Sequence, residues 1–128
     1  MCDVDQFKAY NDHYGHQVGD ACLQQVAAAI QSCCNRPADK AVRYGGEEFV
    51  ALLPDTTREE ALMVAERIRQ GATTNASLPI CQVSIGVATF NHGAPDTLTA
   101  LIDRADTGLY RAKQLGRNRV EEALTNPL

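Results

Sequence analysis

Two short runs of strand-forming residues lie on either side of Gly45-Gly46 in residues 42–53. A glycine pair between such runs signals a tight β-hairpin, because glycine adopts the positive φ angles that hairpin turns often need. Two carboxylates follow, Glu47 and Glu48, and in a strand they would point to opposite faces. A plain hairpin with an acidic surface explains these four residues by themselves, so their meaning depends on the rest of the chain.

The remaining pattern predicts helices interleaved with short strands. The predicted helices are residues 7–14, a longer one that opens at Gly19-Asp20 and stops at Asn35, one capped by Thr57 with Glu60 as its capping-box partner that ends at Gly71, and one from Leu98 to near Gly116. The predicted strands are Asp3-Val4-Asp5, the two arms of the hairpin, residues 83–88 and a last one from Val120. This order favours an α+β or α/β sheet covered by helices.

Length and composition limit the class of protein. A chain of 128 residues suits one domain, residues 1–128, and a net charge of −4 argues against a nucleic-acid polymer or a membrane surface as partner. The five cysteines form no CxxC pair, and adjacent Cys33-Cys34 cannot form an unstrained disulfide. We therefore expect reduced thiols and a cytoplasmic location, with a membrane-anchored parent protein left open.

Asp3 and Glu47 are candidate metal ligands. Mg²⁺ takes oxygen ligands, usually one or two carboxylates together with substrate phosphates and water. An aspartate ending one strand and a glutamate beginning a hairpin could hold such ions, which would activate a hydroxyl and stabilise a pyrophosphate leaving group.

Several motifs follow the order and spacing of a known family over almost the entire chain. They are Asp3-Val4-Asp5-Gln6-Phe7-Lys8, Asn11-Asp12, Gly15-His16, Gly19-Asp20, Arg43-Tyr44-Gly45-Gly46-Glu47-Glu48-Phe49, and Ala105-Asp106 through Asn118. On these residues the chain resembles the catalytic domain of GGDEF-family diguanylate cyclases. The resemblance implies an α+β fold with a mixed, largely antiparallel central sheet covered by helices, of the palm type found in nucleotide cyclases and polymerases. It also implies condensation of two GTP into cyclic di-GMP and two pyrophosphates across a homodimer.

The resemblance also assigns roles to individual residues. Asp3, Glu47 and the backbone carbonyl of Val4 would bind two Mg²⁺ or Mn²⁺ ions per active site, and Glu48 is a candidate base for the 3′-hydroxyl. The implied substrate-binding residues are Asn11 and Asp20 for guanine, Phe7 and Leu23 as apolar walls, Lys8, Lys113 and Arg117 for the triphosphate, and Gly45 and Gly46 for close approach of phosphate.

Ordinary structural roles compete with three of these assignments. Asp20 could cap a helix, and Asn11 could lie in a turn. Lys113 and Arg117 could merely complement a helix dipole. Gly15-His16 matches a recurrent pair of the family, but no chemistry is assigned to His16.

Arg36-Pro37-Ala38-Asp39 matches the inhibitory Arg-x-x-Asp motif of the family, which ends five residues before the glycine pair. Arg67 matches a position that joins this site from a neighbouring face. An arginine can fork onto phosphate or guanine acceptors, and an aspartate can accept from a guanine edge. The resemblance therefore implies product inhibition by cyclic di-GMP, and a solvated loop after a helix is the alternative.

Two other functions compete with the cyclase hypothesis. One is a catalytically silent GGDEF-like module that binds GTP or cyclic di-GMP and regulates a partner. The other is a palm-type nucleotidyl transferase or nucleotide cyclase, against which the Asn11/Asp20 pair and the Arg36/Asp39 motif argue. Family members usually have a helix and a longer strand before the position of Asp3. We therefore expect a longer parent protein with an upstream regulatory domain, and a weakened first strand in this chain.

Overall fold

A five-stranded mixed sheet lies at the centre of the described residues, which are 1–73 and 77–124 of this computed structural model. The elements follow in the order β1 (Cys2–Val4), α1 (Phe7–Tyr14), α2 (His16–Cys33), β2 (Lys40–Gly45), β3 (Glu48–Leu52), α3 (Arg58–Ala72), β4 (Val83–Val87), α4 (Leu98–Gln114) and β5 (Val120–Glu122).

The strand order is β2-β3-β1-β4-β5, so the short first strand is central. It pairs antiparallel with β3 on one side and with β4 on the other, and β2 and β3 form an antiparallel hairpin. Only β4 and β5, among the described strands, pair in parallel. This topology confirms the predicted α+β class with a mixed, largely antiparallel sheet.

Burial follows from position in the sheet. Every residue of β4 is buried, whereas every residue of the edge strand β2 is exposed. Helix α4 packs on β4 and β5, α3 packs on β4 and α2, and α1 packs on α2. The largest fully buried side chains are Val4, Val26, Val83, Cys22 and Ser84. The core thus lies around β1 and β4, next to the predicted site residues of β1.

The predicted helices are confirmed, and one of their boundaries is wrong. Helix α2 begins at His16 rather than at Gly19-Asp20, because Gly15, with φ of +90°, both ends α1 and precedes α2. Thr57 caps α3 as predicted, since its side chain accepts a hydrogen bond from the Glu60 N–H at 3.2 Å.

The hairpin is confirmed, but its glycines do not have the expected φ angles. Gly45 pairs with Glu48, so the turn residues are Gly46 and Glu47. Among the described glycines, positive φ occurs at Gly15 and Gly116, and at neither Gly45 nor Gly46. Arg43 closes the turn, since its Nε and Nη2 donate to the Gly46 carbonyl at 2.9 and 2.6 Å.

The five cysteines are free thiols, as predicted. Cys2, Cys22 and Cys81 are buried, whereas Cys33 and Cys34 are half-buried. Burial raises the pKa of the Cys2 thiol to about 12, so this thiol stays protonated at neutral pH. No helix within the described residues is both long enough and apolar enough to cross a membrane.

Close contact between α4 and β4 requires glycine at position 86. A Cβ atom there would lie 1.9 Å from the Ala105 carbonyl oxygen and 2.2 Å from the Leu109 nitrogen. We predict that Gly86→Ala lowers the free energy of unfolding by about 3 kcal/mol, because the backbone of α4 would have to move. Urea unfolding measures this.

Gly93→Ala is the matched control. A Cβ atom at Gly93 would have Asn91 Oδ1, at 3.6 Å, as its nearest neighbour, so the change in stability should stay within about 0.5 kcal/mol. Equal losses in the two variants would show that the contact between α4 and β4 is not the cause.

Candidate functional site

Asp3 is a buried carboxylate in the central strand, only 4% exposed. Its Oδ2 accepts a hydrogen bond from Lys113 Nζ at 2.5 Å, at the end of α4. Its Oδ1 is buried and has no hydrogen-bond partner among the described residues. A buried carboxylate oxygen without a partner is costly, so this atom is suited to an incoming cation.

The start of β3 brings the glutamates next to Asp3. Val4 N–H donates to the Glu47 carbonyl at 3.2 Å, and Asp3 is in register with Glu48. The backbones of the residues predicted for metal binding and chemistry, Asp3, Val4, Glu47 and Glu48, are therefore adjacent.

This set is too small for a closed metal site. Within residues 1–73 and 77–124, no group of three or more His, Cys, Asp or Glu side chains is placed to hold a metal ion. The unpartnered Oδ1 of Asp3 suits a Mg²⁺-type ion that takes its other ligands from substrate oxygens and water.

Asn11 lies inside α1 and not in a turn, and the nitrogen of its side-chain amide is already hydrogen-bonded. Its Nδ2 donates to His16 Nδ1 at 3.2 Å, and its Oδ1 is buried without a partner in the described part of the chain. Gly19 makes room for this oxygen, since a Cβ atom there would lie 1.8 Å from Asn11 Oδ1 and 3.4 Å from Phe7 Cζ. The Oδ1 of Asn11 is thus a buried acceptor without a protein partner, close to the ring of Phe7.

Asp20 lies within α2 and is exposed, so the alternative that it caps this helix is wrong. Asp20 and the buried Leu23 line a groove of about 480 Å³ between α2 and the β2–β3 hairpin, together with Gln24 and Arg43. The groove is open and has carboxylate, guanidinium and apolar surfaces, which suits a planar polar ring.

The predicted phosphate-binding residues lie near the end of α4 and on α1. Lys113 occupies the last turn of α4, and Arg117 follows the helix, exposed and with φ of +64°. Lys8 is exposed on α1. The helix dipole favours cations at this terminus, but Lys113 is also fixed directly by Asp3.

The Arg-x-x-Asp motif forms a closed ion pair. Arg36 Nη2 lies 2.9 Å from Asp39 Oδ1, and it also donates to the Pro54 carbonyl at 2.8 Å and to Thr56 Oγ1 at 2.5 Å. Hydrogen bonding to Arg36 lowers the pKa of Asp39, and the same contact raises the pKa of Arg36. Arg67 is exposed on α3, and no hydrogen bond or ion pair described in residues 1–73 and 77–124 joins it to this pair.

Sequence reasoning missed two contacts. His16 was assigned no chemistry, yet it orients the amide of Asn11. Asp5, to which no role is assigned within the motif Asp3–Lys8, accepts hydrogen bonds from Ser84 Oγ and from the backbone N–H of Asn118. The position of His16 directly after Gly15 was the available signal for the first contact, and no local pattern pointed to the second.

Comparison with known proteins decides the family. The family model described as "Diguanylate cyclase, GGDEF domain" matches residues 1–119. This chain belongs to the GGDEF family. It is 43% identical over 131 residues to "Diguanylate cyclase A" of Treponema denticola, and the match covers 98% of this chain and 35% of that protein. It is 46% identical over 122 residues to diguanylate cyclase DgcM of Escherichia coli, and the match covers 94% of this chain and 29% of that one.

Solved GGDEF structures have the same fold. The active GGEEF domain of a diguanylate cyclase from Vibrio cholerae superposes with a TM-score of 0.88 at 34% identity, covering 98% of this chain and 81% of that one. The GGDEF domain of DgcB from Caulobacter crescentus, solved in complex with c-di-GMP, gives 0.85 at 35% identity, covering 94% and 73%. The palm-type fold expected from the sequence is therefore confirmed. The chain spans about a third of the length of the curated relatives named above.

Gly19 of this GGDEF domain is predicted to be necessary for the position of Asn11. Gly19→Ala should displace the Asn11 side chain and break its hydrogen bond to His16, because the new methyl group overlaps Oδ1. The side-chain amide resonance of Asn11 in ¹H–¹⁵N spectra should shift. Gly71→Ala is the control, since a Cβ atom there meets Ala29 Cβ at 3.4 Å and should leave the resonance in place. An unshifted resonance in Gly19→Ala would refute the prediction.

Proposed function

We propose that this domain is a diguanylate cyclase that condenses two GTP molecules into cyclic di-GMP and two pyrophosphates. The observation that carries the proposal is the unpartnered Oδ1 of buried Asp3, which lies in register with Glu48 and beside a lysine from α4. Such a site suits phosphoryl transfer, in which catalysis depends on positioning and on charge stabilisation. Family membership makes GTP the substrate to test first.

Asp3, Glu47 and the Val4 carbonyl are the proposed ligands of two divalent cations, Mg²⁺ or Mn²⁺. Bound cations would lower the pKa of the attacking 3′-hydroxyl and neutralise charge on the phosphates. Glu48 is the proposed base for this hydroxyl, and its backbone pairs with that of Asp3. Its role is secondary in this proposal, because the cations already favour the deprotonated hydroxyl.

Guanine would be read by Asn11 and Asp20. The free Oδ1 of Asn11 and the exposed carboxylate of Asp20 are acceptors, and they match the N1–H and N2–H₂ donors of guanine. Phe7 and Leu23 would supply apolar contacts to the ring. Adenine lacks this pair of donors, so the site should discriminate against ATP.

Lys113, Arg117 and Lys8 would bind the triphosphate. Lys113 would exchange part of its contact with Asp3 for a phosphate oxygen when the nucleotide enters. Gly45 and Gly46 would admit the phosphates to the turn, because a Cβ atom at either position meets nothing within 4 Å. Their lack of side chains would serve the ligand, since φ is not positive at either residue.

Two copies of the domain are needed for the reaction. One copy holds one GTP, whereas the cyclic product needs two hydroxyls that each attack the other nucleotide. A two-fold dimer supplies two equivalent half-sites, so the proposed active form is a homodimer. We also propose that the domain acts in the cytoplasm under a regulatory domain of a longer protein, consistent with a chain that spans 35% of its Treponema denticola relative.

Incubation with GTP and Mg²⁺ should yield cyclic di-GMP, detected by chromatography. Glu47→Gln removes one negative ligand and should lower the rate on the order of a hundredfold. Glu59→Gln is the matched control, since Glu59 is an exposed glutamate at the start of α3.

A folded dimer that binds GTP or cyclic di-GMP but forms no product would contradict the cyclase proposal. It would favour the catalytically silent regulatory module instead. Equal rates for Glu47→Gln and the wild type would remove Glu47 from the metal site.

Product inhibition is proposed at Arg36 and Asp39, with Arg67 contributing from a second face. Arg36 is 47% exposed, and its guanidinium is held in place by Asp39, Pro54 and Thr56. Cyclic di-GMP offers both phosphate and guanine acceptors for the guanidinium fork, and a guanine edge for Asp39. Support comes from the neighbouring DgcB structure, whose domain was solved with c-di-GMP.

Arg36→Ala should weaken cyclic di-GMP binding about tenfold or more, because a charged fork to phosphate is lost. Calorimetric titration measures the change, with Arg58→Ala as control. Arg58 is similarly exposed, at 55%, and pairs with Glu122 instead. Unchanged affinity in Arg36→Ala would leave the motif as an ordinary ion-paired loop.

A further inference from the structure

Asp5 is a second carboxylate, directly after β1, and the proposed reaction gives it no role. Both of its oxygens are occupied by protein donors: Ser84 Oγ donates to Oδ1 at 2.5 Å, and the backbone N–H of Asn118 donates to Oδ2 at 2.9 Å. Its own backbone N–H donates to the Gln82 carbonyl at 2.8 Å. Asp3 differs, since its Oδ1 has no partner among the described residues. Asp5 therefore faces the protein, whereas Asp3 keeps an oxygen for a ligand.

The loop that Asp5 binds, residues 116–118, has an unusual backbone conformation. After α4 the chain passes through Gly116, Arg117 and Asn118 with φ of +120°, +64° and +46°. Left-handed backbone at an arginine is uncommon and persists only where surrounding contacts enforce it. The Arg117 N–H donates to the Ala112 carbonyl at 2.9 Å, and the Asn118 N–H is the one bound by Asp5.

A second contact holds the same loop from α3. Asn118 Oδ1 accepts from Arg69 Nη1 at 3.0 Å, and Arg69 is itself fixed by Glu66, whose carboxylate accepts from Arg69 Nε at 3.1 and 3.0 Å. Asn118 is thus held on its backbone by Asp5 and on its side chain by Arg69. Arg117, directly before it, is exposed and reaches solvent from a fixed backbone.

We infer that Asp5 is a positioning residue that fixes the left-handed loop after α4 and so presents Arg117 to the triphosphate. The inference rests on the proposed function, because it assumes that Arg117 binds phosphate. Asp3 and Asp5 then have different roles. Asp3 contacts Lys113 at 2.5 Å and keeps one oxygen for a ligand. Asp5 binds the loop at Asn118, which lies five residues after Lys113.

Two substitutions of Asp5 separate positioning from direct chemistry. Asp5→Ala removes both hydrogen bonds. Asp5→Asn can keep both, since its Oδ1 can accept from the Asn118 N–H while its Nδ2 donates to Ser84 Oγ, and a hydroxyl can accept as well as donate. If Asp5 held a cation or acted as a base, the loss of charge in Asp5→Asn would be as harmful as Asp5→Ala.

The measurement is equilibrium binding of 3′-deoxy-GTP, which lacks the attacking hydroxyl and is not consumed, alongside GMP, which lacks the β- and γ-phosphates. Asp5→Ala should weaken 3′-deoxy-GTP on the order of tenfold and leave GMP within about twofold, because only the triphosphate contact is misplaced. Asp5→Asn should restore binding to within about threefold of the wild type. Equal weakening of both nucleotides, or an Asp5→Asn as weak as Asp5→Ala, would overturn the inference.

A double-mutant cycle with Arg117→Ala tests whether Asp5 acts through Arg117. In the Arg117→Ala background, Asp5→Ala should weaken 3′-deoxy-GTP by less than about twofold, since the group it positions is gone. Independent, multiplying losses would contradict the inference. If Asp5→Ala does not fold, Ser84→Ala and Asn118→Gly each remove one bond of the same network, and both must weaken 3′-deoxy-GTP more than GMP.

Failure of this inference can be told from failure of the proposed function. A wild-type protein that does not bind 3′-deoxy-GTP would refute the GTP site itself. A wild type that binds 3′-deoxy-GTP and forms cyclic di-GMP from GTP, with an Asp5→Ala variant that binds the analogue equally well, would refute only the positioning role.

Discussion

The ion pair between the buried carboxylate of Asp3 and the partly exposed Lys113 is the contact on which the rest of the site depends. It joins residues 110 apart in sequence, one in the central strand and one in the last turn of α4. A carboxylate as buried as Asp3 is stable only when it is paired. The pairing therefore ties the last turn of α4 to the central strand, next to the loop that carries Arg117.

Close backbone packing makes this pairing possible. Gly86 on β4 lets the backbone of α4 approach at Ala105 and Leu109, and Gly108 brings α4 against the Glu121 carbonyl of β5, where a Cβ atom would lie 2.7 Å away. Larger residues at these two positions would lift α4 from the sheet. The end of the helix would then move away from β1. Two glycines outside the site thus set the distance between Asp3 and Lys113.

Local sequence pattern was sufficient for the elements and insufficient for the contacts between them. Periodicity predicted four helices and a hairpin because each depends on nearby residues. It placed the start of α2 at Gly19 because the positive φ of Gly15 and the space that Asn11 requires at Gly19 are properties of the folded chain. The family resemblance supplied the site residues, but not the partners of Asp5, which lie 79 and 113 residues away.

Hydrogen-bond satisfaction separates the two proposed ligand sites. Asp3 Oδ1 and Asn11 Oδ1 are buried and unpartnered in the described chain, so a ligand that reaches them restores bonds that folding removed. Arg36 and Asp39 already satisfy each other, with Pro54 and Thr56 as further acceptors for Arg36. Product bound there would replace these contacts rather than add to them. The affinity for the product would then depend on the difference between the hydrogen bonds it makes and the protein contacts it replaces. Because this difference is small, additional contacts from Arg67 would change the affinity strongly.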